Sequence, residues 1–358
     1  MYGLELGLDF QIFRLDHTIR YDAFCDDFGP MDLSSIVDFS CSMDRELAHF
    51  PEKKIVFCAD TGRRALTNAV FLLGAYMVIR QRKSPDQVAA TLSCVDPTLL
   101  EPYRDASFSR GLFRLRLVDC WRGLDRARRL GWVRHGAAGH LWGAVDVDEH
   151  RHYARPANGC IRAAVPGRVF LVDGPRTEGA EGGGDGDGAD ADSTAALAAA
   201  LLDLGVRTLI QLQGPADAVI IDGGHSEIAG GGRDEFASRG VRRVCLQCDT
   251  GLGPFLAAAA AAEPGDAVAV RSPAGGGAGQ AARGDGAGEL AALHLMGAWG
   301  FGAREALAWL RVVRPGSVAG ERAQRFLCAV DAARYSLRSS GGGRVGAAAG
   351  LVEPPAAS

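Results

Sequence analysis

Short apolar runs alternate with helix-length apolar segments in the first half of the chain. Residues 54–57 form an apolar run typical of a buried parallel strand, and residues 66–79 continue as an apolar segment of helical length. At residues 84–87, a serine, a proline and a capping glutamine predict the start of a helix that ends near residue 92. Residues 111–130 predict another helix, because their leucines recur at near-helical spacing. This order of strand, loop and helix predicts an α/β unit.

The second half of the chain repeats the alternation. Its predicted strands span residues 207–211, 243–247 and 266–270. Its predicted helices span residues 254–262, 289–299 and 303–312. With 358 residues, of which 47% are hydrophobic, the chain is long and apolar enough for two buried cores. We therefore predict two α/β domains.

Three stretches lack apolar periodicity. Residues 177–192 contain only Gly, Ala, Glu and Asp after their first residue, which predicts a solvated, disordered loop. Residues 273–288 and 339–358 are rich in Gly and Ala in the same way. We expect residues 273–288 to form a flexible loop and residues 339–358 to form a disordered tail.

Composition narrows the classes of partner and compartment. The net charge is -4 and the basic residues are dispersed, so we expect no nucleic-acid partner. The longest apolar runs reach about half of the roughly 20 residues that cross a bilayer, so we expect no membrane span. Nine cysteines at irregular spacings and a start without a signal peptide predict free thiols in a reducing compartment. The acidic and histidine residues between 146 and 152 suit a solvated helix, so we expect no metal and no cofactor.

A glycine-rich loop lies between the predicted strand at 266–270 and the predicted helix at 289–299. The layout is similar to the phosphate-binding loop of cysteine-dependent phosphatases, which carries Cys-x5-Arg. In such a loop a thiolate attacks phosphorus, backbone N–H groups hold the oxygens, and a guanidinium binds two of them. Here residues 271–280 read Arg-Ser-Pro-Ala-Gly-Gly-Gly-Ala-Gly-Gln. The sequence therefore predicts the scaffold of a phosphatase site without its reacting groups.

Several longer segments resemble one family, the mitotic-exit dual-specificity protein phosphatases of the cell-division-cycle-fourteen type. The most specific of them are residues 27–30, 53–57, 68–79, 158–159 and 308–318, within a match that runs from Tyr21 to Ala333. Members of this family reverse phosphorylation by cyclin-dependent kinases. The resemblance implies two tandem phosphatase-like domains, each with a mostly parallel sheet flanked by helices, of which only the C-terminal domain is catalytic. The implied boundaries are 1–144, a linker helix at 145–160 and 161–338, with a degenerate loop at 271–288.

The resemblance also implies positions for the catalytic groups. Read forward from the strand, the family's His-Cys pair falls on Arg271 and Ser272, and its loop arginine falls on Ala278. Read backward from Trp309, the cysteine falls on Gln280 and the arginine on Gly286. Neither reading supplies a thiolate or a guanidinium. A serine hydroxyl is barely ionised at neutral pH, so Ser272 cannot replace the cysteine without a dedicated base.

Other catalytic groups of the family are partly preserved. The general acid corresponds to Asp249, which is equally well interpreted as a turn or N-cap residue. Gln324 lies near the family's water-positioning glutamine, although a surface helix glutamine is the favoured interpretation. We expect Arg271 and Arg283 to point to solvent rather than to replace the missing arginine.

One literal Cys-x5-Arg occurs in the first half, from Cys58 to Arg64 between a predicted strand and a predicted helix. Asp60 within this loop would repel phosphate, and a second match from Cys120 to Arg126 falls inside a predicted helix. We therefore interpret Cys58 as a structural cysteine and keep Cys58 with Arg64 as an alternative catalytic pair.

Substrate selection and location follow from the resemblance alone. The family reads basic peptides with linker glutamates, and the matching positions here are Arg151 and Ala154, which weakens attraction for a basic peptide. The partner is expected to be a phosphoprotein or another protein, in the nucleus or cytoplasm. Three interpretations stay open: a pseudophosphatase that binds a partner, an active phosphatase whose segment 265–290 is misrepresented in this sequence, and an enzyme that uses Cys58.

Overall fold

The computed structural model describes residues 9–14, 21, 27–105, 113–135, 141–173, 187–213, 235–247, 266–271 and 286–340. The strands are β1 Phe10–Arg14, β2 Lys54–Cys58, β3 Arg134–His135, β4 Leu141–Trp142, β5 Ile161–Val165, β6 Val169–Val172, β7 Val206–Gln213, β8 Arg242–Gln247 and β9 Ala267–Arg271. The helices are α1 Leu33–His49, α2 Arg63–Ile79, α3 Pro85–Thr91, α4 Leu117–Arg129, α5 Val147–Ala154, α6 Asp187–Asp203, α7 Glu235–Ser238, α8 Gly286–Trp299, α9 Ala303–Val313 and α10 Glu321–Ser340.

A five-stranded sheet in the order β5-β6-β9-β7-β8 forms the centre of the C-terminal half. Strand β9 is parallel to both of its neighbours, and only β5 at the edge is antiparallel. The first four residues of β9 are buried, which agrees with a strand covered on both faces. Helices α8 and α9 pack on one face, whereas α6 and α7 pack with the second apolar cluster on the other face. The predicted α/β fold with a mostly parallel sheet is confirmed.

The N-terminal half has a helical core beside a small sheet. Within the residues that the structure describes, β1 and β2 form a parallel pair. Helix α2 packs against α1, α3 and α4, and it is buried along most of its length. The capping box predicted for α3 is present, with Ser84 and Gln87 each accepting a backbone N–H from the other residue.

Helix α4 joins the two halves by packing closely against α9. A Cβ atom on Gly123 would lie 2.7 Å from the backbone oxygen of Glu305, so only glycine allows this approach. Beside it, Arg304 Nε donates to Asp119 Oδ2 at 2.9 Å. Trp309 is fully buried and donates from Nε1 to the backbone oxygen of Ala164 at 2.9 Å. The apolar core is therefore continuous between the halves.

Several predicted boundaries were wrong. Residues 187–192 belong to α6 rather than to the predicted disordered loop, because alanine favours helices and acidic residues near a helix N-terminus are stabilised by its dipole. Helix α4 starts at Leu117 instead of residue 111, where the Asp119 carboxylate accepts the Arg116 N–H at 2.9 Å. The predicted helix at 254–262 lies outside the described residues.

Three further boundaries differ slightly from the predictions. Helix α8 begins at Gly286, inside the predicted loop, and α10 continues to Ser340. In the predicted linker, α5 spans eight residues and a 3-10 turn, Pro156–Asn158, follows it. Among the described helices, none is long and apolar enough to cross a membrane.

Candidate functional site

The carboxyl ends of β6, β9, β7 and β8 meet at one edge of the sheet, which we call the carboxyl edge. Ligands of open α/β sheets bind outside this edge, and the loop between β9 and α8 leaves from it. Of the predicted site residues there, Asp249, Ser272, Ala278 and Gln280 lie outside the described residues, so their roles stay predictions. Gly286 is the first residue of α8 and is partly exposed.

Arg271 ends β9 and is half-buried, so the expectation that it points to solvent was wrong. The sheet register pairs it with Val172 on one side and with Gln211 on the other. Its Nε atom is buried and makes no hydrogen bond to any part of the chain that the structure describes. Burial, and then the nearby charge of Arg243, lower the pKa of the Arg271 guanidinium. An anion at this position would offset both effects.

Asp173 follows β6 at the same edge and binds Arg314, which follows α9. Arg314 Nε donates to Asp173 Oδ1 at 3.0 Å, and the Arg314 side chain is 13% exposed. This ion pair fixes the turn between α9 and α10 against the sheet. The Arg314 charge is therefore compensated by a carboxylate, in contrast to the buried Nε of Arg271.

A buried polar cluster supports the same turn from beneath. Arg311 pairs with Asp105, and Gln324 donates from Nε2 to the same carboxylate. Arg311 Nε also donates to the Ser317 oxygen at 3.2 Å, and Gln324 Nε2 donates to the Val318 oxygen at 2.9 Å. Gln324 has no exposed surface, so its interpretation as a surface glutamine was wrong. Its predicted role in positioning water stays a prediction.

The N-terminal Cys-x5-Arg has a different environment. Cys58 ends β2, half-buried, and its Sγ lies 4.0 Å from the Val56 oxygen. The Arg64 guanidinium lies over the Phe28 ring, and Nε donates to Glu101 Oε1 at 3.0 Å. Arg64 is thus held by a carboxylate outside the loop. In the second match, Cys120 is buried within α4, and burial followed by the charge of Asp119 raises its pKa.

The positive charge of Arg151, in the predicted linker, is also compensated by carboxylates. The Arg151 guanidinium contacts Asp38 of α1 at 2.5 Å and Asp148 of α5 at 3.5 Å. Ala154 accepts a hydrogen bond from Arg162 through its backbone oxygen at 2.9 Å. The positive charge expected at Arg151 is therefore largely neutralised by neighbouring carboxylates.

The sequence analysis missed one spaced pair of cysteines. Two residues separate Cys245 from Cys248, which is C-x-x-C spacing. Cys245 lies half-buried in β8, and Cys248 lies outside the described residues. The spacing itself was the available signal.

The chain is similar to known phosphatases over most of its length. The family model described as "Dual specificity protein phosphatase, N-terminal half" matches residues 7–127. Human "Dual specificity protein phosphatase CDC14A" is 36% identical over 168 residues, covering 46% of this chain and 27% of that protein. Mouse CDC14A is 28% identical over 327 residues, covering 89% of this chain and 49% of that protein. The "Tyrosine-protein phosphatase cdc-14" of Caenorhabditis elegans is 27% identical and covers 92% of this chain and 43% of that protein.

The chain is similar to CDC14 phosphatases across most of its length. It spans about half the length of the curated relatives that it matches. A crystal structure of a mutant form of "Tk-PTP" covers 48% of this chain and 95% of its own at 19% identity, and its TM-score of 0.28 is too low to support an argument.

Strand β9 and helix α8 lie on either side of the segment where the resemblance implies a reaction centre. The chain contains no cysteine between Cys248 and Cys328. Among the described residues, no group of His, Cys, Asp and Glu has the arrangement of a metal site.

Proposed function

We propose that this CDC14-type chain is a pseudophosphatase that binds phosphoproteins without hydrolysing them. The observation that carries the proposal is the loop after β9, where Ser272 and Ala278 stand at the positions implied for the nucleophile and the arginine. Phosphoryl transfer depends on the charge stabilisation that the loop arginine supplies, and a cysteine-dependent enzyme also needs the thiolate. The loss of both groups removes the chemistry and leaves the scaffold.

Retained anion binding is supported by Arg271 at the carboxyl edge. Its guanidinium has the planar set of donors that suits phosphate oxygens. Burial and the charge of Arg243 disfavour its charged form, so a phosphate at the edge would relieve an existing electrostatic cost. The half-buried position also limits competition by water.

The first experiment measures turnover by the full purified chain. With 4-nitrophenyl phosphate, we expect no hydrolysis above a protein-free blank and no effect of orthovanadate. Turnover that orthovanadate inhibits would overturn the pseudophosphatase proposal.

The second experiment measures binding by fluorescence anisotropy with a phosphopeptide and its unphosphorylated twin. We expect the phosphopeptide to bind at least tenfold more tightly and Arg271→Gln to remove most of this difference. Arg325→Gln is the matched control, because Arg325 lies on α10, is 61% exposed and pairs with Glu321. Equal binding of the two peptides would contradict phosphoprotein recognition.

A second candidate function is an active phosphatase of the same family. The abrupt Gly/Ala run between two family-like segments favours it, because a wrong splice or reading frame leaves such a run. Sequencing the messenger RNA across the codons for residues 265–290 separates the two candidates. A Cys-x5-Arg in the transcript would support the enzyme, whereas the present residues would support the pseudophosphatase.

A further inference from the structure

A cavity of about 250 Å³ lies between the start of α3, one face of α4 and the start of α9. It brings together the first residues of α3, three arginines of α4 and one glutamate of α9. Among the described residues, none of those predicted to be catalytic lines this cavity. The cavity is therefore separate from the candidate site at the carboxyl edge.

Three arginines of α4 line one side of the cavity. Arg122, Arg126 and Arg129 follow each other at intervals of four and three residues, so they share one face of the helix. Arg126 is half-buried and donates to the backbone oxygen of Gly300. No carboxylate among the described residues forms an ion pair with Arg126. Because its partner is a neutral oxygen, the charge of this guanidinium is left for an anion.

The buried carboxylate of the cavity is shared between two arginines. The Asp125 side chain is 7% exposed and contacts Arg128 and Arg129 at 2.7 Å each. One negative charge therefore serves two guanidiniums, which leaves a net positive charge on this part of α4.

The other two carboxylates of the cavity are held in different ways. Asp86 contacts Arg122 at 3.1 Å, but its side chain is 80% exposed, and such surface ion pairs contribute little to stability. Glu305 accepts the N-cap backbone N–H of α9 at 2.9 Å, which fixes this carboxylate to its own helix. Arg122 is therefore the arginine that a stronger anion can take from its present partner.

Ser84 supplies a hydroxyl at the same cavity, and it is followed by proline. A serine followed by proline is the minimal substrate sequence of proline-directed kinases, whose pocket accepts a residue without a backbone N–H. The backbone of Ser84 is extended, with φ −67° and ψ 153°, and residues 82–84 belong to no helix or strand. Arg82 and Asp86, on either side, are exposed. The second Ser-Pro of the chain, at residues 272–273, lies outside the described residues.

The first turn of α3 has to open before a kinase can contact Pro85, which is buried. Ser84 Oγ accepts the Gln87 N–H at 3.2 Å in an exposed capping box. Helix α3 has seven residues, and isolated helices shorter than roughly 12–15 residues are marginal in water. Local opening of this turn therefore needs less free energy than unfolding of the chain.

We propose that Ser84 is a phosphorylation site and that the α4 arginines of this cavity bind the resulting phosphate group. In the transfer, Ser84 Oγ forms a bond to the γ-phosphorus of ATP while the bond from that phosphorus to the ADP oxygen breaks. The hydroxyl proton passes to a base of the kinase, and ADP leaves. The phosphate, with a charge of about −1.5 to −2 at pH 7, then compensates Arg126 and competes with Asp86 for Arg122.

The first test incubates the full chain with ATP and a purified proline-directed kinase, and mass spectrometry of its peptides locates the phosphate. We expect phosphate on Ser84 in more than half of the molecules. Ser93→Ala is the matched control, because Ser93 is exposed, follows the same helix and precedes no proline. We expect this control to leave the phosphorylation of Ser84 unchanged. Absence of phosphate from Ser84, or an equal extent of phosphorylation at Ser93, would overturn the proposal.

The second test is a phosphorus NMR titration of the phosphorylated chain. A phosphoserine has its second pKa at about 6, and guanidiniums beside it favour the dianion and lower that pKa. We expect the pKa of the phosphate on Ser84 to lie at least about 0.5 below that of a phosphorylated peptide of residues 80–90. We expect Arg122→Gln, at an exposed position, to remove at least half of this difference. Arg116→Gln is the matched control, because Arg116 precedes the same helix, its side chain is 65% exposed and it does not line the cavity.

Asp86→Asn separates the contact between phosphate and Arg122 from the existing ion pair of that arginine. Both Arg122→Gln and Asp86→Asn remove the ion pair, but only Asp86→Asn leaves the guanidinium free for the phosphate. We therefore expect Asp86→Asn to lower the phosphate pKa further, in the direction opposite to Arg122→Gln. A phosphate pKa equal to that of the peptide, an equal change in Arg116→Gln, or a rise in Asp86→Asn would each overturn the proposed role of the arginines.

Discussion

Two strand–loop–helix units of this chain resemble different parts of a phosphatase site. The unit β2–α2 contains a literal Cys-x5-Arg, yet its arginine binds Glu101 and covers Phe28. The unit β9–α8 contains no cysteine, yet β9 is the central, buried strand of the five-stranded sheet. The β2–α2 unit therefore has the Cys-x5-Arg spacing, and the β9–α8 unit has the buried central strand.

Residue spacing alone therefore does not define a reaction centre. An active phosphate loop needs a guanidinium aimed at the ligand, and a carboxylate partner outside the loop competes for that guanidinium. Conversely, a buried central strand persists because packing requires it, whether or not catalysis continues. Ancestry is therefore easier to read from the scaffold than from the motif.

The largest expected effect on stability comes from replacing one isoleucine by alanine in each of the two sheets. Ile210 in β7 beside β9 has no exposed surface, whereas Ile12 in β1 beside β2 is 44% exposed. We expect Ile210→Ala to lower the free energy of unfolding by about 2–5 kcal/mol, because it leaves a cavity in the core. We expect Ile12→Ala to stay within about 0.5 kcal/mol, as surface substitutions usually do. Urea denaturation measures both.

Similar losses of stability in the two variants would contradict this prediction, because they would show that the small N-terminal sheet is packed as tightly as the central one. A loss of stability in Ile12→Ala but not in Ile210→Ala would show that the N-terminal sheet is the more tightly packed of the two.

An intermediate effect tests whether the two units belong to one folding unit. Gly123→Ala would place a Cβ 2.7 Å from the Glu305 oxygen, so α4 and α9 must separate. We expect a loss of about 1–3 kcal/mol, the usual cost of overpacking. Gly297→Ala is the matched helix control, since a Cβ there meets no atom within 4 Å. We expect that control to stabilise the chain by about 0.5–1 kcal/mol.

The readout for this prediction is hydrogen exchange in β2 and in β9. If both strands lose protection together in Gly123→Ala, the halves unfold as one unit. Loss confined to one half would show that the continuous core does not make them cooperative.

Sequence patterns predicted the strands at 54–57 and 266–270 closely, because their short length and β-branched residues favour a strand over a buried helix. They failed at 187–192, where alanine and acidic residues suit either a solvated loop or a helix N-terminus. The environment of Gln324 could not be predicted, because its partner Asp105 is 219 residues away. The same holds for Arg64, whose binding to Glu101 depends on how the segment after α3 folds back. Long-range partners of polar side chains are therefore what the sequence leaves open.

The smallest expected effect concerns the N-terminal motif itself. We expect Arg64→Ala to cost less than about 1 kcal/mol, because its ion pair with Glu101 is partly exposed, with side chains 39% and 27% accessible. We expect Cys58→Ser to leave any aryl-phosphate turnover of the chain unchanged, and the exposed Cys94 provides a matched control as Cys94→Ser. Urea denaturation measures the stability of Arg64→Ala, and continuous hydrolysis assays measure the turnover of all three variants. Turnover in the parent chain that disappears in Cys58→Ser and Arg64→Ala, but persists in Cys94→Ser, would move the reaction centre to the N-terminal loop. In that case the Glu101 carboxylate would compete with phosphate for the Arg64 guanidinium, since it already accepts a hydrogen bond from Nε.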